Sequence, residues 1–269
     1  QRQMCIRDRY ASDFQSAVKQ HPQEMINLVL ENKERVLPVF VDSLFLGLEV
    51  SEKLEEVDFS IIERLLHEFP CDMESHRASY FCGIIEKIDD VNWSSEVMEQ
   101  LINIALNHCN PELDKPNVTN LEDKEMKSCD MLHSNALNCV RGNAARTIGH
   151  LLWEDRELFP RFKDTIDGLT KDENPAVRFA SLYALWPSYN IDREWAGEKI
   201  IYLYESDIRM ASFHDSRNMF FLLYPKYKER VINIIKNSFE SEDKQLVEMG
   251  GYAVCEFYIR QNEFETIVM

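Results

Sequence analysis

The sequence predicts an all-α fold built as a superhelix of stacked helix pairs, and three observations carry that prediction. Apolar residues recur at helical spacing along almost the whole chain, without an alternating strand pattern followed by a hairpin turn. Glycine occurs only 8 times in 269 residues, a composition that favours helices over sheets. The chain also repeats itself. Val140-Arg141-Gly142-Asn143-Ala144-Ala145-Arg146-Thr147-Ile148 returns 37 residues later as Val177-Arg178-Phe179-Ala180-Ser181-Leu182-Tyr183-Ala184-Leu185. Each copy starts a helix with Val-Arg, puts a small residue three positions after the Arg, then resumes aliphatic residues. Self-similarity at this period marks a solenoid of helix pairs.

Taken in order, 13–31 and 34–49 read as a first antiparallel pair, and 59–69 and 75–89 as a second, parted by Pro70-Cys71-Asp72. Residues 94–107 form a strongly amphipathic helix with Val97, Leu101, Ile104 and Ala105 on one face. A helix over 134–153 carries the first Val-Arg copy. Residues 156–169 and 175–186 make the next pair, and here Asn174 is positioned to cap and Pro175 to occupy the first turn. Further helices are predicted over 192–205, 215–224, 227–239 and 244–258. The Val-Arg register extends weakly to Arg77 and Arg217, at intervals of 64, 37 and 39 residues along Arg77, Arg141, Arg178 and Arg217. The long first interval is one repeat plus an insertion at 110–133, whose stretch 110–130 is polar and holds Pro111 and Pro116.

Met4-Cys5-Ile6-Arg7-Asp8-Arg9 resembles the translation of a transposon-based sequencing adapter, so residues 1–10 are expected to be foreign to the fold. Residues 11–269 are then expected to form a single solenoid of about five pairs, cut from a longer protein. The net charge is −17, from 47 acidic and 30 basic residues. That balance repels phosphate backbones and anionic lipids, and opposes nucleic-acid binding in the absence of a local basic stripe. The longest apolar stretch, 36–50, contains Pro38, Asp42 and Glu49 and is too short to span a bilayer. Cysteines beyond Cys5 are scattered without framework spacing, the pattern of reduced thiols and a cytoplasmic location.

These residues resemble HEAT repeats, in which two antiparallel helices are joined by a tight turn with an acidic residue, and the second helix opens with Val-Arg. Asp172, Pro175, Val177, Arg178, Ser181, Ala184 and Leu185 match that pattern, and the resemblance extends over about 55–260, most strongly over 134–190. It implies that Asp172 and Arg178 pair and tie one repeat to its neighbour. Arg141 has Asn135 six residues before it, so a continuous Asp–Arg ladder is not expected. The phrase from Ala136 to Ala145 is similar to helical-repeat segments of large bacterial signal-transduction NTPases that act in defence. No Gly-x4-Gly-Lys loop is present, so an NTPase of such a parent would lie outside this chain.

The resemblance implies a protein-binding or scaffold module rather than an enzyme, with no cofactor. The positions between the packing residues are Asn143, Arg146, His150, Tyr183 and Trp186, and aromatics and Arg dominate interface energetics. They form the predicted partner-binding groove; the competing reading packs Tyr183 and Trp186 between repeats. The metal candidate is His108-Cys109 with Cys129 and His133, two donor pairs flanking the insertion at a spacing unlike common zinc fingers. No Gly-x-Ser-x-Gly elbow or His-Glu-x-x-His motif occurs. Two alternatives stand beside the binding module: a HEAT-fold enzyme on nucleic acid, of the DNA-glycosylase kind, with a groove of Arg141, Arg146, Arg178 and Arg217, and a purely structural spacer without exposed aromatics.

Overall fold

A computed structural model describes residues 2–111 and 128–268. No strand occurs among them, and the chain is all-α. The helices are α1 (Arg2–Gln20), α2 (Pro22–Glu31), α3 (Pro38–Glu49), α4 (Phe59–Glu68), α5 (Arg77–Glu86), α6 (Ser95–Asn107), α7 (Cys129–Asn138), α8 (Val140–Glu154), α9 (Phe159–Thr170), α10 (Pro175–Tyr189), α11 (Arg193–Ser206), α12 (Ser216–Phe239), α13 (Lys244–Gln261) and the short α14 (Glu265–Val268). Helices α1, α3, α5, α8 and α10 pack side by side as one layer, and α2, α4, α6, α9 and α11 as a second. The layers meet in one continuous apolar core that runs from Val18 to Phe257. Packing between near neighbours in sequence is what a helical repeat requires.

Local chemistry accounts for most boundaries. Ser94, Asn174, Asp192 and Asp243 each accept a backbone N–H of the helix that follows, satisfying donors that have no intrahelical partner. Proline opens α2, α3 and α10, where its missing N–H costs nothing.

Two boundaries differ from expectation. The predicted helix over 13–31 breaks at His21, because Pro22 begins a helix of its own. The expected helix over 134–153 is two helices, and the insertion at 110–133 therefore already contains the start of α7. Cys139 is extended (φ −93°, ψ 147°), and its Sγ accepts the Gly142 N–H at 3.3 Å. Asn110 takes up the start of α8: its side-chain oxygen accepts the Val140 N–H at 2.9 Å and its carbonyl that of Arg141 at 3.3 Å. The separate helices expected over 215–224 and 227–239 are both present: α12 is two helices that meet in a kink at Tyr227 (φ −119°, ψ 36°) just after Pro225.

Helix α7 departs from the nearest-neighbour pattern. It packs on α8 and α10 and reaches the start of α13. Asp243 serves both helix starts there: one carboxylate oxygen accepts the N–H groups of Gln245 and Leu246, the other that of Cys129 at 2.9 Å. A carboxylate between two helix N-termini is favoured by both dipoles.

Helices α8 and α10 approach each other closely. A Cβ on Gly149 would stand 2.4 Å from the carbonyl oxygen of Tyr183. In a regular helix that carbonyl would accept the N–H of residue 187, and Pro187 has none. Proline in one helix and glycine in the other thus meet where the backbones come together.

Candidate functional site

The predicted groove residues lie on the α8–α10 part of the first layer, but they do two different things. On α8, Asn143, Arg146 and His150 share one helical stripe with Thr147 and Glu154. They point back at α5. The Asn143 side-chain amide donates to Ser79 Oγ. Arg146 grips Glu86 through Nε–Oε1 and Nη2–Oε2, each 3.1 Å, and Thr147 Oγ1 donates to Glu86 Oε1 at 2.8 Å. His150 Nε2 lies 3.2 Å from Asp89 Oδ1 and 3.6 Å from Glu154 Oε1.

On α10, Tyr183 is half-buried and sets its ring edge-to-face on Phe213, centroids 5.0 Å apart, with His214 alongside. Trp186 meets Trp153 edge-to-face at 6.4 Å, and Trp153 is 53% exposed. The sequence reading missed Glu86, Asp89 and Trp153. Trp153 was within reach, since 146, 150 and 153 continue one stripe; the acids on α5, some sixty residues earlier, carried no such signal.

Burial sets the electrostatics of this face. It raises the Glu49 carboxyl above the usual range; Lys87 opposes that and Glu86 adds to it. Burial also raises the Tyr183 phenol, with Arg146 pulling the other way. Glu154 is raised by burial and then by Asp89, against His150.

The repeated arginines each find a partner within the protein. Arg77 pairs with Asp42 at 2.7 Å, and Arg217 with Glu256 at 2.9 Å. The expected Asp172–Arg178 carboxylate pair does not form. Arg178 Nη1 donates to the backbone carbonyls of Asp172 (2.7 Å) and Glu173 (3.0 Å), within its own turn. The Asp172 carboxylate pairs with Arg141 of the preceding repeat instead, with both side chains nearly buried. The turn explains the exchange: Asp172 Oδ1 accepts the Asn174 N–H at 2.8 Å, leaving Oδ2 for the start of α8. Asp172 is therefore tied to an earlier helix through Arg141, the arginine that has no acid six residues before it.

The metal set His108, Cys109, Cys129 and His133 is not assembled. His108 Nε2 donates to the Ser75 carbonyl and its Nδ1 accepts the Asn110 N–H, each at 3.1 Å, so both ring nitrogens are committed. His133 Nε2 is 2.8 Å from Ser212 Oγ. Burial pushes the Cys129 thiol up to about 12. The physical reason is α7, which carries Cys129 and His133 toward α13 and away from His108.

Fold and face define a class: an all-α chain of packed helix pairs, one face of which carries a charge-paired stripe and an aromatic pair. Compared with protein-family models, curated proteins and solved structures, the chain matches none of them. Among the described residues, no helix is long and apolar enough to cross a membrane.

Proposed function

We propose that the chain is a HEAT-like, non-catalytic protein-binding module, the recognition part of a larger cytoplasmic bacterial protein, and that it meets a protein partner through the α8–α10 face. The observation that carries this reading is the pair Trp153–Trp186, with the first ring more than half exposed and Trp186 one turn along α10 from Tyr183. Tryptophan supplies large apolar area at low entropic cost, and such residues anchor interfaces. The polar stripe next to them is already paired with α5, so it is pre-organised as a rim.

The nucleic-acid alternative loses support from the same geometry. Arg141, Arg146 and Arg217 each face a carboxylate, and Arg178 faces two carbonyls. A phosphate would have to displace those partners on a chain of net charge −17. The spacer alternative predicts no exposed aromatic cluster.

Affinity capture from a bacterial extract, with the native chain and Trp153→Ala side by side, tests the reading. A defined protein retained by the native chain and lost with the variant, at matched thermal stability, supports it. Equal retention by both chains, or binding of labelled duplex DNA in place of protein, overturns it.

A further inference from the structure

We propose that Asp89, His150 and Glu154 form a site for one divalent transition-metal ion of the zinc class, clasping the turn after α5 to the end of α8. His150 and Glu154 are four residues apart, hence on one face of the last turns of α8. Asp89 comes from the other element. One donor atom from each converges, Nε2, Oδ1 and Oε1, all within 4.8 Å of one another. Zinc bonds to imidazole nitrogen and carboxylate oxygen are about 2.0–2.2 Å long, which sets donors of a tetrahedral ion about 3.4 Å apart. The Nε2 separations of 3.2 Å from Asp89 and 3.6 Å from Glu154 bracket that spacing.

Glu154 is hydrogen-bonded to Asp89 and to the backbone of Asp90, but no hydrogen bond joins it to the His150 ring. Nε2 carries at most one hydrogen, and 3.6 Å lies beyond a hydrogen bond. Two carboxylates converge on a single imidazole nitrogen, and a dication would neutralise both where one proton cannot. The donor set of one imidazole and two carboxylates suits zinc and its first-row neighbours. Three protein donors leave a fourth position for water, and the side chains, 33%, 62% and 27% exposed, leave the site open to solvent. The site is separate from the His108–Cys109–Cys129–His133 set, and it stands whether or not the α8–α10 face binds a protein.

The test is calorimetric titration of the chelator-stripped full chain with zinc chloride, alongside Asp89→Asn, His150→Ala and Glu154→Gln. One ion per chain is expected, with affinity lowered about tenfold or more in each variant. Cobalt chloride should quench the fluorescence of Trp153, next in sequence to Glu154, and the quenching should vanish in the same variants. Asp89→Asn and Glu154→Gln preserve shape, so they decide the matter if His150→Ala fails to fold. No saturable binding overturns the site and leaves an ion-pair cluster. Binding untouched by the variants also overturns it, placing the ion elsewhere, as at the exposed Cys109 or Cys255.

Discussion

Helices α8 and α10 open with the same Val-Arg phrase, yet the two copies are wired differently. In α8 the charged side chains reach other elements: Arg141 takes Asp172 ahead of it, and Arg146 takes Glu86 behind it. In α10, Arg178 closes on its own turn, and the corresponding stripe carries half-buried aromatic rings instead. The shared residues do the same job in both copies. Val140, Ala144, Val177 and Ser181 are all completely buried. What repeats is the packing; what differs is the side chains the packing leaves free to find partners.

The largest expected break in this comparison is Asp172→Ala. It strands Arg141, 13% exposed, without its carboxylate and removes the acceptor of the Asn174 N–H. Removing one partner of a nearly buried pair should cost about 3–4 kcal/mol in denaturant unfolding; a loss no larger than that of Arg178→Ala would show that the two arginines are equivalent after all. Gly149→Ala comes next, because its Cβ would meet the Tyr183 carbonyl, which backbone cannot cheaply vacate. We expect about 2–3 kcal/mol, with loss of α8–α10 hydrogen-exchange protection; an unchanged Tm would mean that the helices are farther apart in solution.

Arg178→Ala should cost only about 1–1.5 kcal/mol, the worth of charge-assisted bonds to carbonyls at a partly exposed turn. A cost equal to that of Asp172→Ala would put the inter-repeat tie back on Arg178. The smallest effect is expected at Glu49, where the α8 charge network ends. Its carboxyl is raised in the folded state, chiefly by burial. The folded chain therefore binds more protons than the unfolded chain as pH rises through the carboxylate range, and stability from this group falls with rising pH. Glu49→Gln should stabilise by about 0.5 kcal/mol or less at neutral pH and lose that gain near pH 4. A destabilisation equal at both pH values would remove Glu49 from the network.

Much of the fold was legible because helix caps are local. Asn174-Pro175, Ser94 and Asp192 each announce a helix within the three residues that follow, and the structure uses them so. The break at Cys139 was not legible, since it depends on Asn110 arriving from thirty residues away. The candidate face was half legible. Helical spacing put Asn143, Arg146 and His150 on one stripe, but nothing in α8 says that the stripe turns toward Ser79, Glu86 and Asp89.

By itself, then, the sequence determined the all-α class, most helix starts and the buried repeat of Val and small residues, because periodicity and capping act over a single turn. Tertiary structure alone decided which arginine holds Asp172, that α7 crosses to α13, and that three donors from two elements meet at His150. Those outcomes depend on where side chains end up after the layers have packed, and a long polar side chain takes whichever partner the packed backbone brings within reach.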